Sequence, residues 1–406
     1  MLQKDFKPVL RFMVTSDVHI KDEACIEEER LEKAIKRVYQ LCEESENYKK
    51  LDAFYSVGDF ANSGTEIQMR KFKEIVEKNL KPETQYALTM ASHEYHSEGV
   101  EAAYEKFGRI FETPVDQHRV INGFHFISIT CSQGCNFHAD KIAFAAKELK
   151  KAREADPKKP IFVFQHPHIT DTVYGSMLWG EDELYATYMD YPQMINFSGH
   201  SHAPINNPRS IHQKHFTSLG TGSLSYTELD EFDKYYGTVP PMKYNFAQFL
   251  IVEADADGRV RIYPYDIFTD NFFPYVWEID EPWNPASFKY TDDIRFKTAV
   301  TPYFAEDAKI EFLDLDDDGF RIKFPQAKID EDYVNDYKVV VIEKETNTIV
   351  KQTSMWSEYY FYNMPEYLEI AYTDLNPETE YEVRIYAGSF WKTTSAPLCA
   401  EIKTLK

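Results

Sequence analysis

Five short segments of the sequence place histidine, aspartate or glutamate directly after an apolar stretch of strand length. They are Asp17-Val18-His19, Gly58-Asp59, Ser92-His93-Glu94, His166-Pro167 and Gly199-His200-Ser201-His202. Imidazole and carboxylate groups together suit Mn, Fe or Zn better than Mg or Ca. The ends of parallel strands gather at one edge of an open sheet, so we expect these segments to converge there and bind metal.

Each segment alone has a structural explanation, because a single histidine beside a strand is more often a hydrogen-bonded histidine than a ligand. The repeated spacing is more specific. Asp17 and His19 are two residues apart and project to the same side of an extended chain, and His200 and His202 repeat that spacing. Five such segments in this order favour one shared metal site.

The elements that must position these segments alternate between strand and helix patterns. Six apolar runs have strand length, and most are rich in β-branched and aromatic residues. They are Val9–Thr15, Leu51–Val57, Gln85–Met90, Phe124–Thr130, Ile161–Phe164 and Met194–Phe197. Apolar residues at helical spacing lie between them, from Leu31 to Leu41, from Phe72 to Leu80 and across Asp140–Glu154. The alternation predicts an α/β fold, with a sheet covered by helices.

After His202 the pattern changes to strands at Thr217–Tyr226, Asn245–Glu253 and Arg259–Tyr265, of which the last two read as a hairpin. We expect these strands to finish a second sheet of the same domain, which would span residues 1–270. Residues 271–300 contain Pro and Trp and are irregular, so we interpret them as a linker or docking segment.

Residues 301–406 carry short alternating strands and predict an all-β, immunoglobulin-like sandwich domain. The segment Leu375–Tyr381 precedes the alternating run Val383, Ile385, Tyr386. It resembles the tyrosine-corner strand of fibronectin type III domains, in which a tyrosine hydroxyl ties the chain back across the sandwich. A generic β-sandwich is the alternative.

Composition restricts the partners of the protein. The formal net charge is −22, and the basic residues form no continuous block, so we expect no nucleic-acid polymer as a partner. Five cysteines without a CxxC pair indicate reduced thiols. No apolar run approaches the ~20 residues that span a bilayer, so we expect no membrane partner. As written the chain reads as cytoplasmic, although a secreted mature form would look the same.

The order of the segments, DxH, GD, (N)H(E/D), H and GHxH, resembles the calcineurin-like metallophosphoesterase family over roughly residues 9–265. The resemblance implies two stacked sheets flanked by helices and two divalent metal ions, Mn, Fe or Zn, with Mn favoured. It implies that Asp17, His19 and His202 bind the first metal, that Asp59 bridges both, and that His166 and His200 bind the second. It further implies that His93 is the catalytic histidine and that Glu94 orients it.

The sequence departs from the family pattern at Ser92. The family usually has asparagine there, and its amide oxygen completes the second metal site. A serine hydroxyl is a poorer ligand, so the second metal would be bound more weakly, reached through water or lost. The purple acid phosphatases have a tyrosine ligand three residues after the bridging aspartate, where this sequence has Asn62. We therefore expect no ferric tyrosinate centre.

Three further residues are candidates for contact with a substrate: Asn62, His96 and His168. The insertion Thr170–Tyr191 contains Tyr and Trp and could form a lid. For each of these the alternative is a structural or merely exposed role.

The expected activity is hydrolysis of a small phosphate ester by in-line attack of a hydroxide held between the two metals. Because bacterial members of the family often act on diesters, we favour a phosphodiester or cyclic nucleotide over a monoester. The alternative is a weakened family member that serves as a binding or scaffold protein, which the serine at position 92 would explain.

Overall fold

A computed structural model describes residues 1–406, which divide into two compact units. The first unit consists of Met1–Asp230 and Met242–Thr291, and the second of Glu231–Pro241 and Asp292–Lys406. No helix is both long enough and apolar enough to cross a membrane.

The first unit contains fifteen strands and seven helices, numbered in chain order. The strands are β1 (Pro8–Thr15), β2 (Ala53–Val57), β3 (Gln85–Thr89), β4 (Gln117–Ile121), β5 (Phe124–Ser128), β6 (Ile161–Phe164), β7 (His168–Ile169), β8 (Gly180–Glu181), β9 (Met194–Ser198), β10 (Ile211–Gln213), β11 (Thr217–Gly220), β12 (Gln248–Asp255), β13 (Val260–Asp266), β14 (Asn271–Phe272) and β15 (Trp277–Ile279). The helices are α1 (Ile26–Glu44), α2 (Glu66–Asn79), α3 (Ser92–Tyr95), α4 (Val100–Phe111), α5 (Ala139–Ala155), α6 (Ser176–Trp179) and α7 (Tyr185–Tyr188).

Two large sheets form the centre of this unit. One has the order β14-β13-β12-β1-β2-β3, with β15 also paired to β13, and the other has the order β10-β11-β9-β6-β5-β4. Strands β1, β2 and β3 are parallel, and so are β5, β6, β9 and β11. Parallel strands all end at the same edge of their sheet, so the loops after them are neighbours.

Aromatic side chains pack the two sheets face to face. Phe12 of β1 has ring-centroid distances of 5.1 Å to Phe126 and 4.8 Å to Phe162 of the opposite sheet. Tyr55 of β2 stacks on Phe164 of β6 at 4.0 Å. Fully buried aromatic residues contribute large apolar areas, and such ring pairs add ~0.5–1.5 kcal/mol each. This layer fixes the separation of the strand ends that carry the candidate ligands.

Helices cover the outer faces of both sheets. Helix α1 lies on the first sheet, where Arg37 donates a hydrogen bond to the hydroxyl of Tyr265 on β13 at 2.9 Å. Helix α5 contacts β5 and β6 of the second sheet. The predicted α/β fold, a two-sheet sandwich flanked by helices, is confirmed.

The structure differs from the sequence prediction at two places in this unit. Within 271–300, predicted as a linker or docking segment, the stretches Asn271–Phe272 and Trp277–Ile279 pair with β13. This pairing satisfies backbone groups that an uncovered edge strand would expose. The strand predicted at Thr217–Tyr226 ends at Gly220, because the chain then turns so that Ser223 Oγ donates to the Asp17 carbonyl at 3.0 Å.

The second unit is an antiparallel sandwich that follows helix α8 (Asp292–Thr298). Its strands are β16 (Glu311–Leu313), β17 (Phe320–Pro325), β18 (Val334–Glu343), β19 (Thr348–Trp356), β20 (Tyr367–Tyr372), β21 (Glu380–Ser389) and β22 (Leu398–Lys403). They form a three-stranded sheet, β16-β17-β20, and a four-stranded sheet, β19-β18-β21-β22. The hydroxyl of buried Tyr381 accepts a hydrogen bond from the Asn376 N–H at 2.9 Å, which is a tyrosine corner. The fibronectin type III-like sandwich is confirmed.

A segment from the middle of the chain completes this sandwich. Residues Glu231–Pro241 leave the first unit and return to it, and Lys234 lies beside β19 with its ammonium group paired to Asp336 of β18. The same ammonium group lies 4.9 Å from the centroid of the Trp356 ring. The second unit is thus built from two separate stretches of sequence.

Removing the Tyr381 hydroxyl tests the tyrosine corner. We expect Tyr381→Phe to lower the free energy of unfolding of the second unit by ~1–3 kcal/mol, because the Asn376 N–H loses its partner. Chemical denaturation followed by circular dichroism measures the change. The matched control is Tyr367→Phe at an exposed position of β20, which should leave the transition unchanged. Equal transitions for both variants would contradict the assignment.

Candidate metal centre

The loops that follow β1 and β2 are joined to each other by backbone hydrogen bonds. The Asp17 N–H donates to the Gly58 carbonyl at 3.2 Å, and the His19 N–H donates to the Asp59 carbonyl at 3.0 Å. This pairing continues the parallel pairing of the two strands beyond their ends. Asp17, His19 and Asp59 are therefore held side by side at one edge of the first sheet.

Five of the candidate ligands have backbone φ angles in the left-handed region, which residues other than glycine rarely adopt. They are Asp17 (50°), His19 (55°), Asp59 (48°), His200 (74°) and His202 (52°). Each such residue costs on the order of 1–3 kcal/mol and persists only where its surroundings impose it. All five follow strand ends, where the sharp bend of the chain directs their side chains toward one region.

A glycine at position 58 lets the two sheets approach each other at the site. Gly58 has a φ of 84°, and a Cβ atom there would lie 2.5 Å from Nδ1 of His166. The ring of His166 follows β6 of the second sheet, and its Nδ1 hydrogen-bonds the Val57 carbonyl of β2 at 2.6 Å. This contact holds His166 against the loop that carries Asp59.

The first group of converging side chains contains Asp17, His19 and His202, whose candidate ligand atoms lie within 4.8 Å of one another. Nε2 of His202 is 3.2 Å from Oδ1 of Asp17 and 3.1 Å from Nε2 of His19. Two donor atoms bound ~2.0–2.2 Å from one ion are ~3.0–3.5 Å apart. The spacing therefore fits a shared cation.

The second group contains Asp59, His166 and His200, again with ligand atoms within 4.8 Å of one another. Oδ2 of Asp59 is 3.0 Å from Nε2 of His166, and the rings of His166 and His200 are 4.9 Å apart and edge to face. The two groups adjoin, because Nε2 of His166 is also 3.9 Å from Oδ1 of Asp17. Asp59 belongs in addition to a third triplet, with His19 and His93.

In His166 and His202, a hydrogen bond to Nδ1 leaves Nε2 on the side of the other candidate ligands. Nδ1 of His166 is bonded to the Val57 carbonyl, and Nδ1 of His202 is 3.1 Å from the Tyr226 carbonyl. A proton on Nδ1 leaves a lone pair on Nε2, which is the form of imidazole that binds a metal. Nε2 of His166 and Oδ1 of Asp17 are buried and make no well-aligned hydrogen bond, although each faces another candidate ligand, Asp59 at 3.0 Å and His202 at 3.2 Å respectively. Such orphaned atoms are costly unless a ligand satisfies them.

The charges of the site point to the same conclusion. Burial alone would raise the pKa of Asp17 and of Asp59, but the neighbouring histidines hold both below the usual range. Burial together with His202 lowers the pKa of His19 to about 3. Burial opposes protonation of His166, yet Asp59 and Asp17 raise its pKa. Two buried carboxylates surrounded by histidine side chains attract positive charge, and divalent cations fit this arrangement.

His93 lies at the mouth of this cluster. Its Nδ1 is 2.7 Å from the Asn62 carbonyl, and its Nε2 is 4.0 Å from Oδ2 of Asp59. Its backbone N–H donates to Oδ1 of Asp59 at 3.2 Å. Nδ1 is thus occupied by a backbone acceptor, and Nε2 lies on the side of Asp59.

The resemblance implies that Glu94 orients His93, but the structure gives Glu94 a different position. Its carboxylate instead accepts backbone N–H groups from Asp59 at 3.0 Å, Ala61 at 2.9 Å and Ala91 at 3.0 Å. The Asn62 carbonyl is the group that holds His93. Burial and the charge of Asp59 raise the pKa of Glu94 to about 8, and the N–H donors of Ala61 and Ala91 oppose this shift. Glu94 therefore positions the Asp59 loop.

Three other predicted residues lie around His93. Ser92 begins α3 and lines a cavity of about 550 Å³ together with His96, which is exposed. The ring of His96 is 4.6 Å from that of His93. The Asn62 side chain donates to Ser63 Oγ at 3.3 Å, while its carbonyl holds His93. Contacts of Ser92 with a metal and of His96 and Asn62 with a substrate remain predictions.

His168 was expected to contact the substrate, and the structure gives it another environment. It is buried, and its two ring nitrogens are each 2.8 Å from a serine hydroxyl, those of Ser198 and Ser201. Both nitrogens are therefore already occupied. Burial and the neighbouring His200 lower the pKa of His168 to about 3. His168 supports the loop of His200 and His202.

Three residues at the site were missed in the sequence. Sγ of Cys135 is 3.5 Å from Nε2 of His200, the Trp179 ring is 5.2 Å from the His200 ring, and the Tyr226 ring is 4.1 Å from the His202 ring. Trp179 lies in the insertion Thr170–Tyr191, whose Tyr and Trp content had already indicated a possible lid. Cys135 and Tyr226 carry no local signal, because each reaches the site only through the folded chain.

The arrangement is a candidate dinuclear metal centre at the strand ends of a two-sheet α/β sandwich. Residues 10–204 match the family model described as calcineurin-like phosphoesterase, and this range includes every candidate ligand. Residues 10–204 therefore carry a calcineurin-like phosphoesterase domain, of a family that uses divalent metal ions.

Comparison with solved structures gives matches of low sequence identity. A purple acid phosphatase from seeds of yellow lupin (Lupinus luteus) is 13% identical over 66% of this chain and 53% of its own, with a TM-score of 0.47. This chain thus spans about half the length of that phosphatase. The FN5 domain of Drosophila Lar is 13% identical over 26% of this chain and 99% of its own, with a TM-score of 0.18. No curated protein sequence matches the chain.

A Glu94→Gln variant tests the positioning role of this carboxylate. The amide would place an NH₂ group against a backbone N–H, so the Asp59 loop should relax and metal affinity should fall ~10–100-fold, as for other supports of metal ligands. Competition with a chelator measures the affinity. Glu105→Gln, at an exposed position of α4, is the matched control and should bind like the parent protein. Unchanged affinity in Glu94→Gln would refute the role.

Proposed function

We propose that the protein hydrolyses small phosphate esters with the help of two divalent cations, and that phosphodiesters or cyclic nucleotides are preferred to monoesters. The observation that supports this proposal most is the pair of adjoining donor groups, Asp17–His19–His202 and Asp59–His166–His200, with orphaned buried atoms in each. When bound, the cations would neutralise phosphoryl oxygens and lower the pKa of an attacking water. Mn²⁺, Fe²⁺ and Zn²⁺ suit these donors.

The residues of the chain supply orientation and a proton. The Asn62 carbonyl binds the Nδ1–H of His93, so the second proton of the protonated ring resides on Nε2. Nε2 faces the cluster, where the leaving oxygen of an ester would lie. His93 would donate this proton to the leaving group, and general acid catalysis of this kind contributes ~10²–10⁴-fold. Asp59 would span the two donor groups and fix their separation.

The charge of the protein supports a substrate with few negative charges. The formal net charge is −22, and a monoester carries about one more negative charge than a diester near neutral pH. Repulsion therefore disfavours the monoester more strongly. The same repulsion acts on long nucleic acids, which supports a small ester as the substrate.

A binding or scaffold role is the alternative that the serine at position 92 suggests. The orphaned atoms Oδ1 of Asp17 and Nε2 of His166 favour retention of a metal-binding centre. A protein that keeps its metal ligands is expected to use the bound metals for catalysis. We therefore prefer hydrolysis to the scaffold role.

Substitutions at Asp59 and Ser92 separate the two roles. With bis-p-nitrophenyl phosphate, p-nitrophenyl phosphate and Mn²⁺, Fe²⁺ or Zn²⁺, we expect Asp59→Asn to abolish turnover, because a neutral amide cannot hold two cations together. Ser92→Asn should preserve or raise the rate by supplying an amide oxygen. Asp257→Asn, at an exposed turn, is the control. If neither the parent protein nor Ser92→Asn shows activity with any of these ions, the scaffold role is favoured.

Replacing His93 tests its role as a proton donor. We expect His93→Ala to lower kcat ~10²–10⁴-fold for esters with alkyl leaving groups. The loss should be much smaller for p-nitrophenyl esters, because p-nitrophenolate leaves without protonation. His96→Ala removes the adjacent exposed histidine and shows whether any imidazole at the mouth would serve. A loss that is independent of the leaving group would exclude the general-acid role.

A further inference from the structure

The second donor group has a neighbour that is neither histidine nor carboxylate. Cys135 lies in the loop between β5 and α5, and its half-buried thiol is 3.5 Å from Nε2 and 3.8 Å from Nδ1 of His200. The loop contains a short turn in which the Asn136 N–H donates to the Gln133 carbonyl at 2.9 Å. The sulfur is thus carried to the edge of the candidate metal centre.

The distance between the sulfur and Nε2 of His200 fits two ligands of one ion. Zinc is bound ~2.3 Å from sulfur and ~2.0–2.1 Å from imidazole nitrogen, so a tetrahedral ion separates the two donors by ~3.5 Å. The observed 3.5 Å equals this value. The separation of 3.0 Å between Asp59 and His166 is likewise close to that of two oxygen or nitrogen ligands of one ion.

A second observation points to a cation at the same place. Nε2 of His166 is fully buried and makes no well-aligned hydrogen bond, and the His166 ring packs edge to face with the His200 ring at 4.9 Å. Its Nδ1 is already bonded to the Val57 carbonyl. Nε2 lies 3.0 Å from Oδ2 of Asp59 and is therefore directed into the group that Cys135 adjoins.

The second donor group has room for a further ligand. Asp59, His166 and His200 provide three ligands, whereas a tetrahedral site needs four. Ser92 lines the same cavity as Ser132, Gln133 and Gly134, the residues directly before Cys135. The loop that carries Cys135 therefore runs beside Ser92.

We propose that Cys135 binds the second cation as a thiolate beside His200, once a small movement of its loop brings the sulfur closer to Asp59 and His166, and that this site selects Zn²⁺ over Mn²⁺. The proposal rests on the metal centre of the proposed function. On binding, the thiol loses its proton to solvent and the sulfur donates an electron pair to the cation. Thiolate is a soft ligand that favours Zn²⁺ and Co²⁺, whereas an all-oxygen and nitrogen site accepts Mn²⁺.

Cobalt titration of the metal-free protein tests the proposal spectroscopically. We expect the parent protein to show the visible d–d bands of bound Co²⁺ and, in the near ultraviolet, a sulfur-to-cobalt charge-transfer band. The charge-transfer band should be absent in Cys135→Ser and present in the matched variants Cys42→Ser and Cys399→Ser. These two replace a buried and an exposed free thiol, respectively.

The outcomes distinguish the two proposals. Visible bands without a charge-transfer band in the parent protein would overturn the role of Cys135 and leave the metal centre intact. No visible bands and no cobalt retained in equilibrium dialysis would overturn the metal centre as well. A charge-transfer band that survives in Cys135→Ser would assign the sulfur ligand to another cysteine.

A measurement on the unmodified protein guards against a variant that fails to fold. Alkylation with iodoacetamide, followed by mass spectrometry, should show that Zn²⁺ slows labelling of Cys135 at least tenfold and leaves labelling of exposed Cys399 unchanged. Mn²⁺ should protect Cys135 less than Zn²⁺ does. Equal labelling of Cys135 with and without Zn²⁺ would reject the proposal.

Discussion

The burial of two carboxylates among histidines is the constraint around which the first unit is organised. Asp17 and Asp59 are 0% and 1% exposed, and an ionised carboxylate in such surroundings costs several kcal/mol unless opposite charge and hydrogen bonds compensate it. The chain provides part of the compensation through the His200 N–H on Asp17 and the His93 N–H on Asp59. Oδ1 of Asp17 makes no well-aligned hydrogen bond and faces Nε2 of His202 at 3.2 Å, so a cation between them would supply the remainder.

A layer of supporting contacts holds the donor atoms in place. Glu94 binds three backbone N–H groups around the Asp59 loop, and His168 ties Ser198 to Ser201 on either side of His200. These groups would touch neither cation nor substrate. Their effect is to prevent relaxation of the left-handed backbone at the strand ends, where strain would otherwise be released.

The aromatic residues packed between the two sheets also help to hold the candidate ligands at their observed spacing. Candidate ligands of the first group come from β1 and β9, and those of the second from β2, β6 and β9, so both groups draw on both sheets. Their spacing of about 3 Å would not survive sliding of one sheet over the other. Interdigitated rings such as Phe12 among Phe126 and Phe162 resist such sliding, because close-packed interiors transmit strain rather than absorb it.

Residue types and periodicity in the sequence determined the fold class, the strands that carry the site and the identity of the converging residues. The strand predicted at Ile161–Phe164 has these bounds in the structure. The tyrosine corner at Tyr381 could be predicted because the turn, the alternating apolar residues and the tyrosine all lie within one short stretch of sequence. Such signals are local, since a strand or helix imposes its period on neighbouring residues.

Tertiary structure alone decided which atoms meet. Glu94 was expected at His93 but binds the backbone of Asp59, 35 positions away, and Cys135 meets His200 across 65 positions. The end of β11 and the pairing of residues 271–279 with β13 were likewise settled by distant partners. A sequence pattern records backbone period and chemical type, whereas the direction of a side chain depends on packing between segments brought together only by folding.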